Sequence, residues 1–447
     1  MQVVTVEVPQ LGNRTHLVHD GHHALVVDPP RDLTPIERAA EEAGVAITAV
    51  ADTHIHNDYV SGALGLARRH GADYLLSADE PVDFERVGVR DGDVVPVGRL
   101  DVSVLATPGH TRHHQAFLAV DRDRREAGAL FSGGSLLHGT VGRTDLVDQR
   151  LTYDLAEAQW SSARTLGALD PRTRLHPTHG FGSFCASTTA TDEGDATIGG
   201  QLLTNPALRV ERDAFVTELV EGFGPIPAYY GHMAPLNRAG AGRALPRPPR
   251  QVTAEQVTDA ILAGHWVVDL RRRDAFARAH LPGTVSVEYS DQFATYVGWL
   301  VPWHDDLVLL CDEPSDLDSA LHDLAGIGID GPSTHVLEPA ADLTATYRRT
   351  GWADFRAHTG SRVVVDVRQR DEYDEGHLPG AVNLPVHDVD RRGHELPAGE
   401  LWVHCKSGYR AGIAASVLHR MGRDVVHVDD AWEQIADLAV RPGGVAA

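Results

Sequence analysis

Continuous apolar runs separated by turn residues divide the first half of the chain into strands with a few helices between them. Residues 1–8 alternate side chains in the manner of a strand. Residues 14–19 and 22–27 flank Asp20-Gly21 and predict a hairpin, which Asp28-Pro29-Pro30 ends. Helical spacing over 34–43 begins at Thr34 as cap, has Pro35 in its first turn and stops at Gly44. Residues 46–51, 102–105 and 129–131 are apolar runs that predict buried strands. Helices are predicted from about residue 60 to 70 and over 152–167, a charged turn at 123–127 and a surface loop at 186–200.

The pattern fails over residues 237–250, where Gly, Pro, Ala and Arg run without a period, so a linker is placed there. An internal repeat follows. Val267-Val268-Asp269-Leu270-Arg271 with His280-Leu281-Pro282-Gly283 recurs as Val364-Val365-Asp366-Val367-Arg368 with His377-Leu378-Pro379-Gly380, at a constant offset of 97 residues. An interval of that size predicts two copies of a small domain, divided near Gly351. In the second copy a strand at 401–404 leads into Cys405-Lys406-Ser407-Gly408-Tyr409-Arg410 and then a helix over 411–421. In the first copy a strand at 307–310 delivers Cys311 to the equivalent place.

Composition narrows the class. A chain of 447 residues should hold two to four domains. No apolar run approaches the ~18–20 residues of a membrane helix, and the start lacks a signal-peptide pattern, so a cytoplasmic protein with no membrane association is expected. A formal net charge of −23 argues against nucleic acid as a partner. Cys185, Cys311 and Cys405 are too few for a disulfide framework. The single lysine, Lys406, stands beside Cys405.

Two stretches carry chemistry. Thr53-His54-Ile55-His56-Asn57-Asp58-Tyr59 puts two imidazoles one residue apart, followed by a carboxylate, where a strand opens into a loop. Residues i and i+2 of an extended segment point the same way, and these are groups that zinc, iron and manganese take. At the Cys405 loop, Gly408 lets successive N–H groups turn toward the sulfur. The following helix N-terminus, Lys406 and Arg410 add positive charge, and all favour thiolate over thiol. The loop after Cys311 instead reads Asp312-Glu313-Pro314-Ser315-Asp316, whose carboxylates would repel an anionic sulfur.

With Thr107-Pro108-Gly109-His110-Thr111, Phe131-Ser132-Gly133-Gly134 and His176-Pro177-Thr178-His179-Gly180, the His54 stretch resembles the metallo-β-lactamase fold and its T-H-x-H-x-D-H, P-G-H-T, F-T-G-D and late-histidine order. Within that fold the run from Phe131 to Gly142-Arg143-Thr144-Asp145, with Asn205-Pro206, is similar to persulfide dioxygenases. The repeated D-x-R and H-L-P-G signatures resemble rhodanese domains. The implied architecture is α/β: a metallo-β-lactamase αββα sandwich at 1–236, the linker at 237–250, a degenerate rhodanese-like domain at 251–350 and an active one at 351–447, the last two with parallel sheets.

The resemblance implies a mononuclear Fe(2+) site on His54 and His110, with Asp145 as first candidate for the third ligand. His56, Asp58 and His179 are further ligands or groups that orient them. Surface or orienting roles are expected for His113 and His114, and a structural one for Cys185. Tyr59 stands where the family's second-site histidine is usual, and Gly134 where its carboxylate is usual. Cys405, with Lys406 and Arg410, is expected to carry sulfur, and Ser407, Gly408, Tyr409 and Arg143 to bind substrate. The expected partners are a low-molecular-weight thiol persulfide, O2 and sulfite, in a homo-oligomer whose role is sulfide detoxification through thiosulfate. Two other readings stay open: a Zn(2+) thioester or lactone hydrolase fused to sulfur carriers, and a non-catalytic persulfide sensor.

Overall fold

The computed structural model describes residues 1–124, 127–180, 182–187, 196–241, 248–337 and 343–440. Parts of the predicted turn at 123–127, loop at 186–200 and linker at 237–250 therefore lie outside the described residues. The chain divides into two compact units, residues 1–246 with 325–328, and residues 247–324 with 329–447. Among the described residues no helix is long and apolar enough to cross a membrane.

The first unit is a four-layer αββα sandwich. One sheet orders Gln2–Val8, Asn13–His19, His23–Val27, Ala46–Ala51, Asp73–Ser77 and Val87–Val89 side by side. The other orders Arg174–Pro177, Ala129–Gly133, Gln115–Asp121, Leu100–Ala106 and Val94–Val97. Period-two alternation explains the layering. Leu25 and Val27 face Phe117 and Phe131 of the opposite sheet, while Ala24 and Val26 face Ile36 and Leu66 of the outer helices. The helix Thr152–Gly167 covers the second sheet through Ala156, Ala163 and Leu166. The loops after Ala46–Ala51, Leu100–Ala106, Ala129–Gly133 and Arg174–Pro177 carry His54, His110, Gly134 and His179.

Several boundaries differ from expectation. Leu33, not Thr34, is the N-cap of Thr34–Ala43, and the Thr34 N–H donates to the Asp32 carboxylate at 3.0 Å. The next helix begins at Ala63, because Ser61 pairs with Pro30 across an isolated bridge. The helix Tyr230–Ala239 runs into the region read as linker and buries Asn237.

The second unit holds the repeat as two five-stranded parallel sheets of the same connectivity. The copies reproduce one another in detail. Arg271 donates to both Asp269 oxygens and to the Ala279 carbonyl, as Arg368 does to Asp366 and the Gly376 carbonyl. The His280 ring stacks on Phe276 at 3.9 Å, and His377 on Tyr373 at 3.8 Å. Asp269 pairs with Leu310, and Asp366 with His404, so Cys311 and Cys405 follow at the same register position. The strand Arg348–Thr350, just before Gly351, pairs with Val425–Val428 of the second copy.

The D-x-R pair is buried, and the Arg368 guanidinium also lies 3.9 Å from the Trp432 ring centroid. Arg368→Ala leaves the Asp366 carboxylate without its main partner. It should lower the stability of the second unit by about 3–5 kcal/mol, read as a lower urea midpoint in tryptophan fluorescence.

Candidate metal centre and sulfur loop

Three histidines meet at the strand ends. One nitrogen from each of His54, His110 and His179 lies within 4.8 Å of the others, and all three residues are buried. Their partners fix the tautomers. Thr53 Oγ1 donates to Asp28, so it accepts the His54 Nδ1–H at 2.9 Å. The His110 Nδ1–H donates to the Arg143 carbonyl at 2.7 Å. Asn13 donates its amide to Asp58 and accepts the His179 Nδ1–H at 2.9 Å. Each ring is left with its Nε2 lone pair turned inward; the Nε2 atoms of His54 and His179 are 3.4 Å apart, and that of His110 is buried with no hydrogen-bond partner. Burial, with the neighbouring imidazoles, holds His54 well below its usual range and His110 down at about 3, so both are neutral. Three converging ring nitrogens, with His54 and His110 neutral, fit a divalent metal ion.

Glycine makes room for this. A Cβ at Gly134 would lie 2.2 Å from His110 Cδ2, and one at Gly142 would lie 2.6 Å from His110 Nδ1. The volume a carboxylate at position 134 would need holds the His110 ring. Asp145, the expected third ligand, is not at the site. Both its oxygens are taken by Arg143, at 2.7 and 2.8 Å. Arg143, expected to bind substrate, is itself buried and also donates to the Gly224 carbonyl at 2.6 Å.

Two further groups meet the same distance limit: His56 with Asp58 and His179, and His56 with Asp28 and Asp52. Burial works against charge on His56, but the Asp28 and Asp52 carboxylates raise it to about 10. Tyr59 packs on the His56 ring at 4.3 Å, and its hydroxyl lies 2.9 Å from His56 Nε2. Asp58 reaches toward His179 Nδ1 at 3.4 Å, with its other oxygen buried and unpartnered. His114 is held by Thr107 and accepts the Gly134 N–H at 3.0 Å, while His113 is partly exposed. Cys185 is fully buried, and burial pushes its thiol well up.

Cys405 follows the strand Leu401–His404 at the start of the helix Tyr409–Arg420. Its Sγ accepts the Gly408 N–H at 3.2 Å and the Ala411 N–H at 3.4 Å. Gly408 has φ 90, a conformation that favours glycine. Arg410 is held two-fold by Glu372, while Lys406 and Ser407 are exposed. Tyr409, expected to meet substrate, donates its hydroxyl to the Glu288 carbonyl of the other copy at 2.9 Å. Around Cys311, burial with Asp312 and Asp316 pushes the thiol up to about 11, so it stays protonated near neutral pH.

Two braces escaped the sequence reading. Gln159 accepts the His110 N–H at 2.8 Å and donates to the Gly134 carbonyl at 3.2 Å. Its signal is a polar residue on the apolar stripe of Leu155, Ala156, Ala163 and Leu166. Asn237, assigned to the linker, accepts the Ser61 N–H at 2.9 Å and donates to the carbonyls of His56 and Tyr59 at 2.9 and 2.8 Å. Asn237→Ala leaves three backbone groups of the histidine loop unpaired. It should lower stability by about 2–4 kcal/mol in chemical unfolding and speed metal loss to a chelator.

With the geometry in place, comparison with known proteins gives the relationship. The model of the rhodanese-like domain matches residues 350–438. The hydroxyacylglutathione hydrolase of Cereibacter sphaeroides is 35% identical over 204 residues, covering 44% of this chain and 74% of the relative. A metallo-β-lactamase structure from Staphylococcus aureus superposes with a TM-score of 0.67 at 25% identity, covering 75% of this chain and 99% of that one. The structure of ETHE1 from Myxococcus xanthus is 27% identical, covers 54% of this chain and 99% of that one, and has a TM-score of 0.45. The chain belongs to the metallo-β-lactamase-fold family that includes the hydroxyacylglutathione hydrolases, and it carries a C-terminal rhodanese domain.

Proposed function

We propose that the first unit oxidises the outer sulfur of a low-molecular-weight thiol persulfide with O2, and that Cys405 transfers sulfane sulfur to the sulfite so formed. The observation that carries this reading is the pair of departures at Tyr59 and Gly134. A two-metal hydrolase needs a second-site histidine and a bridging carboxylate, and a phenol and a hydrogen stand in those places. Of the three buried groups among the described residues that could hold a metal ion, one consists of imidazoles alone, His54, His110 and His179, and Asp145 belongs to none of them.

Iron(II) held there would activate O2 and leave positions open for a sulfur ligand. The chain's own residues do the rest. Thr53, Asn13 with Asp58, and the Arg143 carbonyl aim the three rings. The overall change is R–S–SH + O2 + H2O → R–SH + SO3²⁻ + 2 H⁺, in which the outer sulfur loses four electrons and O2 gains them. At the second unit the Cys405 thiolate attacks the outer sulfur of another persulfide. One S–S bond forms, one breaks, and R–S⁻ leaves. Sulfite then attacks the terminal sulfur of the Cys405 persulfide, giving S2O3²⁻ and restoring the thiolate. The Gly408 and Ala411 N–H groups hold the anionic sulfur. Joining the two activities in one chain raises the local concentration of sulfite.

A second reading has its own support. His56, Asp58 and His179 form a further possible ligand group with unpartnered His56 Nδ1 and Asp58 Oδ1, and the 35% identical relative is named a hydrolase. A zinc thioester hydrolase fused to a sulfur carrier would use that group as its second site.

Purified protein should therefore contain about one iron per chain and consume O2 with a thiol persulfide. His110→Ala and His179→Ala should each lose most of the metal and the oxygen uptake, whereas Asp145→Ala should retain both, by metal analysis and oxygen electrode. Two zinc ions per chain with thioester hydrolysis and no oxygen uptake would favour the hydrolase. For the second unit, Cys405→Ser should stop thiosulfate formation, let sulfite accumulate and leave oxygen uptake intact; Cys311→Ser should change neither product, by thiol derivatisation and chromatography.

A further inference from the structure

The degenerate copy reaches the Cys405 loop. Gly408, which presents its N–H to the sulfur, lies directly against Asp429, since a Cβ there would fall on the Asp429 carboxylate. Asp429 accepts from Arg349 at 2.6 Å and from Arg273 of the first copy at 2.9 Å. Arg273 also donates to the Glu288 carboxylate at 2.6 Å, and its stem packs on Gly412, where a Cβ would lie 3.3 Å away. The Glu288 carbonyl in turn accepts the Tyr409 hydroxyl at 2.9 Å. Arg273, Asp429, Gly408, Tyr409 and Glu288 thus close a ring around two consecutive residues of the sulfur loop. The repeat does not produce this by default. The residue 97 positions after Arg273 is Arg370, which is exposed and pairs with Asp374 on its own helix, and the counterpart of Glu288 is Pro385.

We infer that Arg273 and Glu288 make the degenerate copy a clamp on the sulfur loop, with Arg273 a positioning residue that fixes Gly408 through Asp429. This rests on the reading of Cys405 as sulfur carrier. The clamp explains why a copy whose own cysteine faces carboxylates is kept in the chain: its own sulfur loop lacks the glycine and arginine, but residues after its strands Trp266–Asp269 and Val285–Ser286 support its neighbour's loop. Loops that hold a reacting atom lose rate steeply when misplaced by about an ångström.

The test uses the full chain and a thiosulfate-forming assay. Arg273→Met keeps the stem against Gly412 and removes the guanidinium. It should lower kcat for sulfur transfer about tenfold and change KM for sulfite less than about twofold. Arg273→Lys, which retains a cation and one donor, should recover part of the loss. Tyr409→Phe removes the hydroxyl and with it the bonds to the Glu288 carbonyl and to Ser290, both in the first copy, and should lower kcat about threefold. The double variant Arg273→Met/Tyr409→Phe should cost less than the product of the two effects, because both open one ring. Wild-type kcat in folded Arg273→Met, or effects that multiply independently, would overturn the clamp. If Arg273→Met does not fold, unchanged kcat in Tyr409→Phe overturns it. Iodoacetamide alkylation of Cys405, followed by mass spectrometry, separates this inference from the one beneath it. If wild type forms no thiosulfate, the sulfur-carrier reading fails, and the clamp then stands or falls on whether alkylation slows in Arg273→Met.

Discussion

The imidazole of His110 and any side chain at position 134 compete for the same volume. With glycine at 134 and 142 the ring enters, turns its Nδ1–H to the Arg143 carbonyl and brings its Nε2 toward His54 and His179. The arrangement depends on this packing. A carboxylate at 134 would need the volume the ring fills; with glycine there, one nitrogen of each of the three rings lies within 4.8 Å of the others. The buried Nε2 of His110 has no hydrogen-bond partner, a costly state that a bound metal ion would relieve. The braces follow the same logic, since Gln159 fixes the backbone at His110 and Gly134, and Asn237 fixes it at His56 and Tyr59.

Under the proposed function, a ligand set of three imidazoles would leave more of a divalent ion's charge at the centre than a set with a carboxylate. Such a centre would favour the proposed persulfide in its anionic form. The second unit surrounds its two cysteines differently. Backbone N–H groups, a helix N-terminus and Arg410 surround Cys405, while carboxylates surround Cys311 at the same register position. The two copies thus keep one framework, the buried D-x-R pair and the stacked histidine, and differ where the sulfur would sit.

Much of this was legible in the sequence because it is local. Period-two runs mark the strands, the constant offset marks the two copies, and the His54, His110 and Cys405 motifs mark where the imidazoles converge and where backbone N–H groups meet a sulfur. What escaped was set by tertiary packing. Asp145 lies close in sequence to the Gly134 loop, yet the guanidinium two residues before it claims both its oxygens. Arg143 and Tyr409 sit in motifs that suggest substrate, and each is held by carbonyls from distant segments. Asn237 lies in a stretch rich in turn residues, but Tyr230 and Met233 share its buried face and carry the helix through it. The ring through Arg273 joins residues more than a hundred positions apart, which no local pattern reports.

The central claim is the ligand set. X-ray absorption at the metal edge of the anaerobically purified full chain tests it most directly. The account predicts iron surrounded by three imidazole nitrogens together with exchangeable oxygen ligands, with no neighbouring metal scatterer, and a sulfur ligand appearing when a thiol persulfide is added without O2. A metal–metal vector, or a first shell with fewer than three imidazoles in the resting protein, would contradict it.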